Sequence, residues 1–261
     1  MTVGRFIHNL LFPPRCIACG RFLQSSLLDP CKDPLCDRCR VDWEREKTEN
    51  CPRCGSELLL CRCSSDGMEA VGIGRSIKLV YYRRFRDSAG RRIVLYLKTH
   101  RNRRAFRFLA GQLAFPLRKY MEERALLPTD VCLCYVPRSY KSEDAYGVDQ
   151  AKLLCREIGK CLGISISPLF FRTSGGGKEQ KNLSAAERKQ NAKKQFAINK
   201  SMAEKTLRNV REVWLVDDVV TTGASMMACV GCMRPFYKGD VLAISLARAP
   251  LIRKKSPEKI D

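Results

Sequence analysis

The sequence predicts an α/β protein, a parallel β-sheet with flanking helices, preceded by a small zinc-ribbon module. Short apolar runs that read as buried strands alternate with stretches of helical periodicity across residues 66–250. Nine of the fifteen cysteines crowd into the first 63 residues, eight of them in closely spaced pairs. The run Val213-Trp214-Leu215-Val216 ends in Asp217 and Asp218, then passes through Thr221-Thr222-Gly223-Ala224-Ser225 into an apolar stretch. That is strand, turn and helix in succession, and open α/β sheets bind ligands outside the carboxyl ends of their strands.

The cysteines come first. The pairs are Cys16 and Cys19, Cys36 and Cys39, Cys51 and Cys54, and Cys61 and Cys63. A Cys-x2-Cys turn brings two thiolates within reach of one ion, and two such turns complete a tetrahedral Zn²⁺ site. Two sites follow: Cys16, Cys19, Cys36 and Cys39, then Cys51, Cys54, Cys61 and Cys63. Cys61-x-Cys63 is a tighter pair than usual, and the remaining Cys31 is an alternative ligand. Without a secretion signal, such pairs point to structural metal in a reducing, cytoplasmic compartment and not to disulfides. Each site adds an apparent stabilisation on the order of 10 kcal/mol to a segment poor in large apolar residues.

The remaining elements follow in chain order. Residues 69–82 alternate as a strand or hairpin entering a sheet, and residues 105–115 have helical spacing that Pro116 bends or ends. Residues 130–136 read as a buried strand, 147–162 as a helix and 167–171 as a short strand. Residues 241–247 read as a last buried strand, and 251–261 as a basic, disordered tail. There is no run of 18 apolar residues, so no membrane span is expected.

The formal charge of +21 is unevenly spread. Residues 75–119 hold 14 basic residues against Asp87 alone, and residues 172–200 hold 8 against 2, whereas residues 1–65 are nearly balanced at 10 against 8. A basic helical segment over 83–120 suits a polyanion such as single-stranded DNA, although a solvated charged face is the plain alternative. Phe85, Tyr96, Phe106 and Phe108 interleave with the bases and can stack on nucleobases, or can simply be core. His8 and His100 have no motif around them and read as structural.

At the strand-turn-helix, the turn aims N–H groups at one point where a phosphate can sit. Asp217 and Asp218 can accept hydrogen bonds from vicinal hydroxyls. Two adjacent acids at a buried strand end repel each other and call for a ligand or a cation. Hydroxyls beside a phosphate describe a ribose 5-phosphate. Residues 213–225 resemble the signature of the type I phosphoribosyltransferases, which bind phosphoribosyl pyrophosphate (PRPP). The resemblance implies that Thr221, Thr222, Gly223, Ala224 and Ser225 take the 5-phosphate. It assigns Asp217 and Asp218 to the ribose hydroxyls and to a cation-like transition state.

The whole layout also resembles the ComF family. The matching features are Leu11-Phe12-Pro13 before the first cysteine pair, the basic turn after Leu97-Lys98, the spacing of Gln180, Leu183, Arg188, Asn191 and Phe196, and the PRPP motif. The resemblance implies a zinc-ribbon module over 1–65 and a phosphoribosyltransferase-like domain over 66–250. It further implies a role in DNA uptake beside a helicase partner. Arg138 and Ser139 would face the pyrophosphate with Mg²⁺, and a loop at Gly175-Gly176-Gly177 carrying Lys178, Lys181 and Arg188 would close the site. The chain departs from the family at Tyr146 and Asp149, where arginine and asparagine are usual, and its nearby basic run holds Glu143 and Asp144. Lost positive charge there implies an altered or retired activity. Three functions stay open: a PRPP-binding protein of DNA uptake, an active PRPP-dependent transferase acting on a nucleobase or amine, and a zinc-stabilised protein-binding scaffold.

Overall fold

The structure is a computed structural model, which describes residues 13–23, 33–138, 149–173 and 195–251. In chain order the elements are α1 (Asp37–Lys47), α2 (Asp66–Glu69), β1 (Arg75–Tyr81), α3 (Ala89–Thr99), α4 (Arg103–Glu123), β2 (Val131–Tyr135), α5 (Gln150–Leu162), β3 (Phe170–Arg172), β4 (Phe196–Ile198), α6 (Lys200–Leu207), β5 (Glu212–Val220), α7 (Ala224–Met233) and β6 (Asp240–Arg248). β1, β6, β5 and β2 form a four-stranded sheet in that order, each neighbouring pair parallel. β3 and β4 pair antiparallel as a separate ribbon.

The sheet is covered on both faces, which explains why β2, β5 and β6 read as continuous apolar runs. Alternate residues still divide between the faces. Leu133, Trp214, Val216, Leu242 and Ile244 pack toward α3, α4 and α5, in a core that also takes in Cys16, Ile17, Leu35 and Trp43 from the N-terminal segment. Cys132, Val213, Leu215, Val241 and Ala243 pack toward α6, α7 and the ribbon, with Met68 of α2 among them. Residues 37–47 are tied to the sheet domain at a helix end: Glu46 accepts the N–H groups of Ala89 (2.7 Å) and Gly90 (3.1 Å). A carboxylate there caps α3 and complements its dipole.

Of the strand or hairpin expected over 69–82 the structure holds the strand, β1, which follows the end of α2 and reaches its partner β6 from the far end of the chain. Two other sequence expectations are corrected by tertiary packing. Pro116 neither ends nor truncates its helix, because α4 continues to Glu123. An interior proline costs about 3 kcal/mol. Burial of Leu117 and Tyr120 beyond it returns more, at about 1.5–3 kcal/mol for each large side chain. β5 does not stop before the acids: Asp217 pairs with Ser245, and Val219 and Val220 pair with Ala247 and Arg248.

At the amino end of the sheet, Glu212 is buried and accepts from Tyr120 Oη (3.0 Å), Trp214 Nε1 (3.1 Å) and Arg124. Arg124 also reaches Asp240 at 2.7 Å. Arg124→Ala would strip the cation from a buried carboxylate. It should cost about 3 kcal/mol of unfolding free energy, measurable by urea denaturation.

Candidate functional site

The two cysteine clusters are formed by local backbone geometry. In the first, Gly20 N–H bonds to Cys16 O and Cys16 N–H to Arg21 O, both at 2.8 Å; in the second, Gly55 to Cys51 O and Cys51 to Ser56 O repeat the pattern. Gly20 (φ 72°) and Gly55 (φ 75°) supply the left-handed residue that each knuckle needs. Cys36 and Cys39 enter from the start of α1. The tight Cys61-x-Cys63 pair is explained by Cys63 N–H donating to Cys61 Sγ at 3.4 Å.

Within each group of four the sulfurs lie within 4.8 Å of one another. Cys19 and Cys36 are 3.7 Å apart. That is close to the edge of about 3.8 Å expected for a tetrahedron with a Zn–S bond near 2.3 Å, so the eight thiols can hold two zinc ions. Cys31 lies outside the described residues. Burial pushes the Cys51 thiol up, but the N–H groups of Cys54 and Arg53 and the Tyr81 hydroxyl outweigh it and leave it at about 6. Burial likewise raises Cys36, and the Cys39 N–H and neighbouring thiols bring it down to about 7. Each cluster thus holds at least one sulfur that ionises more readily than a free thiol, Cys54 being lowered as well in the second, and the thiolate is the form that binds metal.

The second cluster has a feature the charge count concealed. Lys78 of β1 is 1% exposed, and its Nζ sits 2.9 Å from Cys61 Sγ. Arg248 of β6, also 1% exposed, donates to Cys63 O at 2.8 Å. A zinc tetrathiolate there would carry two negative charges, which these two buried cations would balance. The sheet itself therefore completes the surroundings of the second cluster. A lysine in the basic 75–119 segment read as surface charge; only strand pairing reveals that it points into the protein.

The second region of interest is the carboxyl edge of β5. Asp217 and Asp218 are part-buried; Asp217 Oδ1 accepts the Asp218 N–H (2.9 Å) and Asp218 Oδ1 the Val219 N–H (2.8 Å). Burial first, then the charge of Asp218, pushes the Asp217 carboxyl well above the usual range. Arg138 approaches Asp218 at 3.5 Å. Arg172, whose Nε donates to Pro137 O at 3.1 Å, is a second cation near Asp217 that sequence reasoning missed.

The turn then bends at Gly223 (φ 79°) into α7. A β-carbon at Gly223 would lie 2.6 Å from Met68 Sδ, so conformation and packing both demand glycine there. Thr221 and Thr222 are exposed, Thr222 Oγ1 accepts the Ala224 N–H at 3.3 Å, and Ser225 is half-buried on the first turn. The first N–H groups of α7 have no intrahelical acceptor. The structure thus brings Asp217, Asp218, Arg138 and residues 221–225 to one edge. Ser139, Tyr146, the glycine loop 175–177, Lys178, Lys181 and Arg188 lie outside the described residues. A cavity of about 660 Å³ opens elsewhere, beside the first cysteine cluster, lined by Arg38, Arg92, Asp42 and Asp87. Its two aspartates are held by Arg45 and Arg92, as in the 2.8 Å pair of Arg92 and Asp87.

No family model matches the chain. Over 103 residues it is 32% identical to Competence protein F of Haemophilus influenzae. Over those residues the chain is similar to a competence protein. The match covers 40% of this chain and 44% of that relative, so the chain spans less than half of the relative's length. The departure from the ComF pattern at Asp149 has a structural explanation: Asp149 Oδ1 caps α5 by accepting the Lys152 N–H (2.9 Å), a role that asparagine and aspartate fill equally. The next residue, Gln150, donates to Leu97 O at 2.9 Å and joins α5 to the end of α3. Among the described residues no helix is long and apolar enough to cross a membrane.

Proposed function

We propose that the chain binds ribose 5-phosphate, or PRPP with Mg²⁺, at the carboxyl edge of β5, and that it acts in handling incoming single-stranded DNA. The observation that carries the first part is the part-buried acid pair on β5, set directly before the Gly223 bend and the amino end of α7. Residues 221–225 take the 5-phosphate through N–H groups and hydroxyls. Asp217 and Asp218 take the ribose hydroxyls, whose donated hydrogen bonds offset the desolvation and the neighbouring charge that raise the Asp217 carboxyl. Arg138 and Ser139 would meet the pyrophosphate with Mg²⁺, as the family resemblance implies. Two Zn²⁺ ions hold residues 1–65 as a structural module against the domain over 66–250. The second part rests on the name of the relative and on the basic excess of residues 75–119; a cytoplasmic location and a helicase partner belong to the same reading.

Binding without transfer is the better supported form. Arg138 is engaged by Asp218, and a cation held by an acid offers less to a leaving pyrophosphate. The test is a thermal-shift titration with ribose 5-phosphate and with Mg²⁺-PRPP, run beside turnover of labelled PRPP with nucleobases and amines. The reading expects a shift with both ligands. No shift with either ligand removes it, and turnover replaces it with the transferase.

A further inference from the structure

Of the four aromatics singled out in the basic segment, Phe85, Tyr96, Phe106 and Phe108, the fold spends three elsewhere; Phe115 of α4 is also exposed, at 65% against 94% for Phe85. Phe106 is buried, Phe108 packs partly against the same core, and Tyr96 stacks on His100 (4.1 Å between centroids, 6° between planes). Phe85 is 94% exposed. Burying such a ring is worth about 1.5–3 kcal/mol, and here the fold forgoes it.

The turn that carries Phe85 is nevertheless pinned. Arg86 N–H closes it on Arg83 O at 3.3 Å. Arg83 pairs with Glu49 at 2.6 Å, Arg91 Nε donates to Arg84 O at 2.9 Å, and Arg92 holds Asp87 at 2.8 Å. An exposed ring on a fixed backbone loses little entropy when something docks on it. The Arg84 guanidinium stands 5.6 Å from the ring centroid, and Arg86 follows it. Among the described residues neither Arg84 nor Arg86 takes part in an ion pair. The turn follows the carboxyl end of β1, where Tyr82 N–H bonds to Arg248 O, and Ala249 N–H bonds to Val220 O. β1 and β5 thus end on the same side of the sheet with β6 between them, their ends two strand spacings or roughly 10 Å apart, and the Phe85 turn leaves from the β1 end.

We propose that Phe85 is a base-stacking platform for single-stranded nucleic acid, with Arg84 and Arg86 contacting the flanking phosphates. An exposed ring flanked in sequence by two arginines that no acid among the described residues holds matches a base and its neighbouring phosphates, and stacking of this kind tolerates any sequence. An anionic membrane surface fits less well, because a membrane-binding segment presents a broad apolar face and Phe85 has arginines on either side. The proposal rests on the DNA-handling reading above.

The experiment is fluorescence anisotropy with a labelled 20-nucleotide thymidine strand and an abasic strand of the same length, at low ionic strength. Phe85→Ala should weaken thymidine-strand binding at least about fivefold and leave abasic binding unchanged. Phe85→Trp adds a reporter, since Trp43 and Trp214 are 1% and 0% exposed. Its emission should be quenched by the thymidine strand and by neither the abasic strand nor phosphatidylserine vesicles. If the unmodified protein binds no single-stranded DNA, the DNA-handling reading falls and the platform with it. If it binds and Phe85→Ala is within twofold, with no quenching, the platform alone is overturned. A blue shift on vesicles without a response to DNA overturns it in favour of a membrane contact.

Discussion

Asp217→Asn combined with Asp218→Asn should abolish ribose 5-phosphate binding while leaving the melting temperature unchanged or higher. An acid pair that served the fold would do the reverse. The reasoning is one of sign. Burial and the neighbouring charge raise the Asp217 carboxyl well above its ordinary value of 3.8 in the folded state. A group raised on folding contributes most to stability below its unfolded value, and that contribution is lost as pH climbs toward the folded value. The unmodified protein should therefore lose melting temperature as pH rises above about 4, and the double variant should show a flatter profile. Sites built for binding accept such strain because the ligand relieves it. Calorimetric titration with ribose 5-phosphate, paired with melting curves across pH, checks both halves. A variant that melts far lower yet still binds the sugar phosphate would assign the acids to the fold.

Lys78→Met should reduce bound zinc from two ions per chain to one and lower the melting temperature by roughly 10 °C. Lys78 and Arg248 are both buried against the second cysteine cluster, and methionine keeps the length of the side chain while removing its charge. Removing one partner of a buried charge pair costs about 3–5 kcal/mol, and each kcal/mol moves the midpoint of a chain of this size by about 2–4 °C. Because Ser76 N–H of β1 bonds to Arg62 O at 3.0 Å, loss of the second cluster should reach the sheet edge and not only residues 51–63. Zinc content by atomic emission and a melting curve on the same preparation decide the matter. Two retained zincs with an unchanged midpoint would show that the cluster is not an anionic centre stabilised by the sheet.

The parts of this protein legible in its sequence are those whose chemistry is local. Cysteine knuckles announce themselves because the thiols, the glycine and the turn are contiguous, as at residues 16–20 and 51–55. The turn at 221–225 is equally local, and so are the strands covered on both faces, whose residues are nearly all apolar. What escaped is set by partners far along the chain. β5 runs past Val216 because β6 offers hydrogen bonds to its acidic end, although aspartate disfavours strands. Pro116 remains inside α4 because buried side chains follow it. Lys78 and Arg172 looked like surface charge until strand pairing turned one toward a thiolate and packing placed the other beside Asp217. The basic count of 75–119 overstated the free positive surface for the same reason, because Arg75, Arg83 and Arg92 are also held by acids.

The central claim is that a sugar phosphate docks where β5 gives way to α7. Its most direct test is a crystal structure of the zinc-loaded protein soaked with ribose 5-phosphate. The account predicts the phosphate against the N–H groups of residues 221–225 and the ribose hydroxyls within hydrogen-bond distance of Asp217 and Asp218. A sugar phosphate bound elsewhere, or an empty edge at saturating ligand, would contradict it.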